Sequence, residues 1–525
     1  MNRRLRSLAA LLTILALVPA ALAQTVTYGM GGNFDQVDPN LTTFTRVGRI
    51  TLHVVEPLVW QTSPGEFAPG LATAWSVNDD ATEYTFQLRE GVTFHDGTPF
   101  NAEAVKFTFD RIVDPDMKAQ TALSLIGPYE GTEVVGEYEV KVLFSQPFAP
   151  FLDSASAPNL AIISPAAYEA AGEDAWGMDA LVGTGPFEFV SYTPDSEVVL
   201  QRNEAYDWAP EFMDASGPAA IERIVYKIIP EPSTRTASLE TAETDIIEEV
   251  AEIDFGFLEE RDDIRTVAEP QSGSGWSLMM NREQSPTDEL AVRRAIQLGS
   301  DREGMTLAIW NGLGQAACGP ISAVTFGFDP STCDTYRYDP EAARQVLEEA
   351  GWVDEDGDGI RERDGTPLTI GHYYRAESAL SQQMADYMKA DLAAIGIDVE
   401  LNGLSRSGYF DAVRASEHNT QNWWDPFADP SGMRILFHSE NAGGGTNRNN
   451  YRDAEMDALL ERGAATSDPQ ARAEIYAQVQ QKVKDEAVMV FYNDPATLYA
   501  WTPDLEGVRF FGAGQYAYFY PATLD

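Results

Sequence analysis

The chain has 525 residues, enough for two to four domains at roughly 150 residues each. Its 82 Asp and Glu outnumber 36 Lys and Arg, for a formal net charge of −46. Such a surface repels phosphates and anionic lipid, so nucleic acid and a charged membrane face are excluded as partners, and 44% apolar content excludes a disordered acidic tail. Solubility or adaptation to salt is the simpler account of the acidity, ahead of a cationic ligand.

Arg3, Arg4 and Arg6 precede an apolar run from Leu8 to Val18, followed by Pro19 and the small-x-small triplet Ala21-Leu22-Ala23. That order predicts a signal peptide over residues 1–23, cleaved after Ala23. No cysteine stands at the cleavage point and no later stretch stays apolar for 18 residues. The expected product is periplasmic and soluble, without a stable membrane anchor.

Tyr84, Phe86 and Leu88 alternate with polar residues, as do Val140, Val142 and Phe144, and both runs read as half-buried strands. Between them Asn101 can cap a helix over 102–113 whose stripe is Val105, Phe109, Ile112 and Val113. Cys318 and Cys333 are the only cysteines. In an oxidising compartment they are expected to close one structural disulfide, worth on the order of 3 kcal/mol; two buried thiols are the alternative. Asp339-Pro340 opens a helix that Gly351 ends, and Leu380, Met384, Met388, Leu392 and Ile395 mark another, stopped by Gly396. Ile397, Val399 and Leu401 then alternate as a strand. Helix followed at once by strand is the grammar of an α/β fold.

Between two of these elements, Asp354, Asp356 and Asp358 with Gly359 reproduce the first half of a calcium loop. Gly365 stands where a bidentate Glu would close it, leaving Glu362 or Asp364 as substitutes, and a solvated acidic turn is the plainer reading. Catalytic patterns are missing. His53, His95, His372, His418 and His438 have no metal-site spacing, and neither a Gly-x-Ser-x-Gly elbow nor a phosphate loop occurs. Gly312-Leu313-Gly314-Gln315-Ala316-Ala317 follows a helical stretch rather than a strand, so it reads as a turn and not a dinucleotide fingerprint. No enzyme is indicated and no cofactor is required; a structural calcium on the acidic loop is the one metal the sequence leaves open.

Five groups of residues carry a resemblance. The stretch from Tyr84 to Glu103 includes Arg89-Glu90-Gly91, His95-Asp96-Gly97 and Pro99. Gly183-Thr184-Gly185-Pro186-Phe187 is the second. Leu278 to Asn281 with Val292 to Ile296 and Asp301-Arg302 is the third, and Tyr338-Asp339-Pro340 leading to Gly351-Trp352 the fourth. Asn450-Tyr451, Met456 to Leu460 and a helix over 472–483 complete the series. In this order they resemble the bacterial extracellular solute-binding proteins of family 5, the peptide/nickel-type receptors of ABC importers.

The resemblance implies a two-lobed periplasmic-binding-protein fold of type II, the large class with an extra subdomain, closing on a solute between lobes. Lobe I would take residues 24–275 and 490–525, with a subdomain near 59–182, and lobe II residues 276–489. Gly273, Ser274 and Gly275 would form a hinge beside Trp276. It also implies a ligand, a peptide in the leading reading, and permease subunits as partners of an expected monomer. An oligosaccharide or other small polar solute is the alternative, and a secreted hydrolase a distant one. In peptide-binding relatives an Asp three residues after a Trp accepts the peptide amine, in a Trp-x-x-Asp-x-x-Asp-Pro pattern. Aligned on Trp423 and Asp429-Pro430, that position holds Pro426, with Asp425 one residue away. The dipeptide carboxylate Arg is replaced by Gln382 and Gln383, leaving Arg375, Arg406 and Arg414 as anion partners. Trp423 and Trp424 suit stacking, on a sugar ring face as well as on a peptide. The candidate set is therefore Trp423, Trp424, Asp425 and Arg406, with Trp276 and Asn33.

Overall fold

The computed structural model describes residues 24–334, 337–512 and 516–524. The expected signal segment and its cleavage site lie outside them.

The strands and helices expected from periodicity form, and the reasons are local. Tyr84, Phe86 and Leu88 are buried on one face of the strand Glu83–Leu88, which pairs antiparallel with Glu139–Phe144. The Asn101 side chain accepts from the backbone N–H groups of Glu103 and Ala104, capping the helix Ala102–Val113. Asp339 caps Pro340–Glu349 in the same way, and Gly351 turns the chain out at φ +84°. Gly312 and Gly314, both at φ +77°, turn the chain from the helix Arg302–Trp310 into the short strand Gln315–Ala316, so the glycine run is a turn. Cys318 and Cys333 are joined as a disulfide.

Two large sheets organise the chain. The first has seven strands in the order Arg265–Pro270, Ala496–Trp501, Ile246–Glu248, Thr25–Met30, Arg223–Ile228, Glu197–Arg202 and Phe187–Thr193. The second has six, in the order Gln315–Ala316, Met489–Asp494, Ser274–Met280, Thr420–Asp425, Thr369–Arg375 and Asp398–Leu404. A four-stranded antiparallel sheet spanning residues 72–144, with its own core of Phe86, Phe109, Val140 and Phe151, forms the subdomain. Each such large side chain contributes about 1.5–3 kcal/mol on burial.

The chain passes between the large sheets twice. The first crossing is residues 271–273, since the second sheet already begins at Ser274. The second is Pro495, because Met489–Asp494 belongs wholly to the second sheet. The expected lobe bounds at 275/276 and 489/490 therefore shift to 273/274 and 494/495; strand pairing sets the boundary, and the glycine cluster only accompanies it. Gly273 has φ +104°, and a Cβ there would stand 2.4 Å from the Phe427 nitrogen, so this crossing requires glycine. The subdomain also touches lobe II directly, where the Ala149 N–H donates to the Ala464 carbonyl at 2.8 Å.

Lobe I buries carboxylates and satisfies them within its own chain. Glu56, 2% exposed, accepts from Thr184 and Tyr206 hydroxyls at 2.8 Å each and from the Trp208 indole at 2.9 Å. Glu248, fully buried, accepts from Tyr28 O–H at 2.5 Å and Gly31 N–H at 3.0 Å and pairs with Arg49 at 2.7 Å.

Candidate functional site

The topology brings two sets of strand ends to the interlobe crossings. In lobe II, Thr369–Arg375 runs parallel to both Asp398–Leu404 and Thr420–Asp425, so Arg375, Leu404 and Asp425 end on one edge. Ser274–Met280 is antiparallel to Thr420–Asp425 and starts on that edge, while Met489–Asp494 finishes on it. In lobe I, Thr25–Met30 and Ile246–Glu248 are parallel, and Ala496–Trp501 runs against the latter, so their carboxyl ends also face the crossings. Carboxyl edges of parallel strands are where open α/β sheets hold ligands. Here residues 271–273 and Pro495 join two such edges.

Lobe II's edge carries most of the expected residues. Trp424 stacks on Trp276 with ring centroids 5.7 Å apart and 13° between planes, and Trp424 is 36% exposed. Trp423, half-buried, has the opposite role. The Arg448 guanidinium lies 3.4 Å from its ring centroid and Phe410 meets it edge-on at 6.0 Å. Trp423 thus braces the edge, and the Trp276–Trp424 pair presents an open indole face. Burial raises the Asp425 carboxyl to about 6, against the lowering effects of a hydrogen bond from Trp423 and the nearby Arg448.

The remaining candidates separate. Arg406 is exposed at the start of the helix Arg406–Arg414, with its guanidinium 5.8 Å from the Phe410 ring. Arg375 ends its strand at the edge, half-buried. Arg414 instead pairs with Asp411 at 3.1 Å. Asn33 is exposed in lobe I, just after the carboxyl end of Thr25–Met30, across from this edge in the topology. Asp429 of the Asp-Pro motif is architectural, since Arg472 grips both of its oxygens at 2.5 Å in a buried pair. In the acidic loop, Asp354, Asp356 and Glu362 bring carboxylate oxygens within 4.8 Å of one another, while Asp358 accepts from the Ile360 N–H at 2.8 Å.

Sequence reasoning missed four residues of this edge. Arg448 reaches it from a loop 25 positions beyond Trp423 in numbering, and its buried Nη1 has no hydrogen-bond partner among the described residues. Asn422, Asn493 and Asp494 stand on neighbouring strands and also retain unpartnered buried atoms. Asn422 directly precedes Trp423 in sequence, one carboxamide among the polar Thr420, Gln421 and Asp425 of the same strand. Asp494 gave no signal.

Three comparisons extend this picture. The family model described as "Bacterial extracellular solute-binding proteins, family 5 Middle" matches residues 66–445. The nickel-binding periplasmic protein of Escherichia coli (strain K12) is 28% identical over 522 residues, covering 96% of each chain. The probable D,D-dipeptide-binding periplasmic protein DdpA of the same organism is 30% identical over 453 residues, covering 84% of this chain and 81% of the relative. Among solved structures, NikA from Brucella suis in complex with Fe(III)-EDTA superposes with a TM-score of 0.81 at 26% identity, covering 95% of this chain and all of that one. Among the described residues no helix is long and apolar enough to cross a membrane.

Proposed function

The chain belongs to family 5 of the bacterial extracellular solute-binding proteins, and from that membership we propose that it captures a short peptide in the periplasm and hands it to the permease of an ABC importer. The family match across the chain carries the receptor reading, and the dipeptide-binding relative at 30% identity supports the peptide. No catalytic step belongs to it. The two carboxyl edges close on the solute, Trp424 supplies apolar contact, Asp425 takes an amine and Arg406 or Arg375 an anionic end. Affinity comes from burial between both lobes at once, so the ligand favours the closed arrangement over the open one. The only cofactor in this reading is a structural calcium on the acidic loop. The displaced acid relative to the family's amine-binding position fits a peptide held largely by backbone hydrogen bonds better than a zwitterionic dipeptide.

Mass spectrometry of ligand released by denaturing the purified periplasmic protein tests the reading. A peptide mass upholds it. A sugar or metal chelate as the sole released species would overturn the peptide assignment and leave the receptor class intact.

A further inference from the structure

Several of the buried polar atoms without partners lie at the crossing end of lobe II's sheet. Asn422, 6% exposed, has neither its Oδ1 nor its Nδ2 hydrogen-bonded. On the next strand the Ser274 hydroxyl, 3% exposed, is unpartnered, and on the strand beyond so are Oδ1 of the fully buried Asn493 and Oδ1 of Asp494. Ser274 pairs with Asp425 and Trp276 with Asn493, so Ser274, Asp425, Asn493 and Asp494 stand near one end of three adjacent strands, while Asn422 lies three residues further in, opposite Leu278. Asp494 Oδ1 lies against Gly275, where an added Cβ would stand 2.4 Å away, so glycine makes room for the carboxylate beside the crossing. Nothing cationic is paired with it in the described residues, and burial alone raises its carboxyl to about 7.

Buried polar groups are normally satisfied, because each unmet one costs about 1–3 kcal/mol. A group of them at a ligand-binding edge points to a partner outside the chain. Its balance of types says which. Two carboxylates, Asp425 and Asp494, flank the starting end of Ser274–Met280, with the Asn493 carboxamide oxygen beside them. Asp425 is offset in part by Arg448 and a hydrogen bond from Trp423, and Arg375 ends on the same edge. The acid left without a partner is Asp494, and the group that fits it is a cationic donor.

We propose that the captured peptide is cationic, bearing Lys or Arg, with Asp425 taking one ammonium or guanidinium group and Asp494 a second. The strands carrying the two acids are two spacings apart, about 10 Å, which an extended peptide covers in about three residues. The chain's net charge of −46, set aside above as solubility, also draws such a ligand in over long range. This inference rests on the peptide reading and is tested apart from it.

The test is calorimetry on the full exported protein with trilysine and trialanine, in 0.1 M and 0.5 M salt. Trilysine is expected to bind at least tenfold tighter, with the preference surviving 0.5 M salt, where long-range attraction is screened. Asp494→Asn should remove that preference by weakening trilysine, and it should not lower the melting temperature at pH 8. Equal affinity for the two peptides, or a preference that persists in Asp494→Asn, would overturn the cationic assignment and leave the peptide reading standing. Binding of neither peptide would overturn both.

Discussion

Lobe I pairs its buried Glu56 and Glu248 fully, as lobe II does Asp429, whereas the crossing edge of lobe II leaves Asp494 unpaired. Glu56 has three donors of its own chain, and Glu248 has two donors and an arginine. Asp494 has a buried oxygen with no partner, and Asp425 remains raised to about 6 despite Trp423 and Arg448. The saturated acids tie strands of one lobe together. The unsaturated ones stand on an edge that another lobe faces. Burial of charge alone therefore does not single out a position in this molecule; the pairing of each acid separates the structural ones from Asp494.

The comparison can be broken first where it predicts most. Glu248→Ala leaves the Arg49 guanidinium buried without its acid, which should cost about 3–5 kcal/mol in urea unfolding. A loss under 1 kcal/mol would mean that Glu248 does not hold lobe I together. Next comes Trp424→Ala, expected to weaken peptide binding by about 1–3 kcal/mol through lost apolar contact, with folding nearly unchanged because the ring is partly exposed. Unchanged affinity would move the ligand off the Trp276–Trp424 face.

A pH effect follows, of opposite sign to the usual one for carboxylates. Burial raises the Asp494 carboxyl from its ordinary value near 3.8 to about 7, so the folded chain holds this proton more tightly than the unfolded chain. Stability is then lost as pH rises from about 4 through 7, and the loss is complete above that. Asp494→Asn should melt higher than the parent at pH 8 and equal to it at pH 4. A difference that does not change with pH would show that its carboxylate is stabilised by something other than burial. The smallest effect belongs to the acidic loop. Its carboxylates already accept from backbone N–H groups of Glu355, Asp356, Gly357 and Gly359, so calcium should raise the melting temperature only modestly. A melt indifferent to chelator would remove the structural calcium.

Much of this was legible in sequence because it is local. Asn101 and Asp339 announce helix starts by chemistry acting over three residues, and the alternation at 84–88 reports a buried face directly. The two cysteines and the Trp424–Asp425 stretch could be singled out by residue type. What could not be read is pairing over distance. Asp429 looked like part of the ligand motif, and only the fold brings Arg472 to it. Trp423 and Trp424 are neighbours in sequence, yet strand alternation sends one under Arg448 and the other onto Trp276. Asp494 meets Gly275 only through strand pairing between segments more than 200 residues apart.

Lobe II occupies one unbroken stretch, 274–494, entered and left at adjacent points of the same sheet edge. In lobe I the severed ends, Pro270 and Ala496, face each other as an antiparallel pair. Such partners lie roughly 5 Å apart, a gap that a two-residue turn can close. The larger part of the molecule is thus a host with a guest spliced into one hairpin. Excising the guest and joining 270 to 496 through Asn-Gly should yield a freestanding lobe I with its seven-stranded sheet complete.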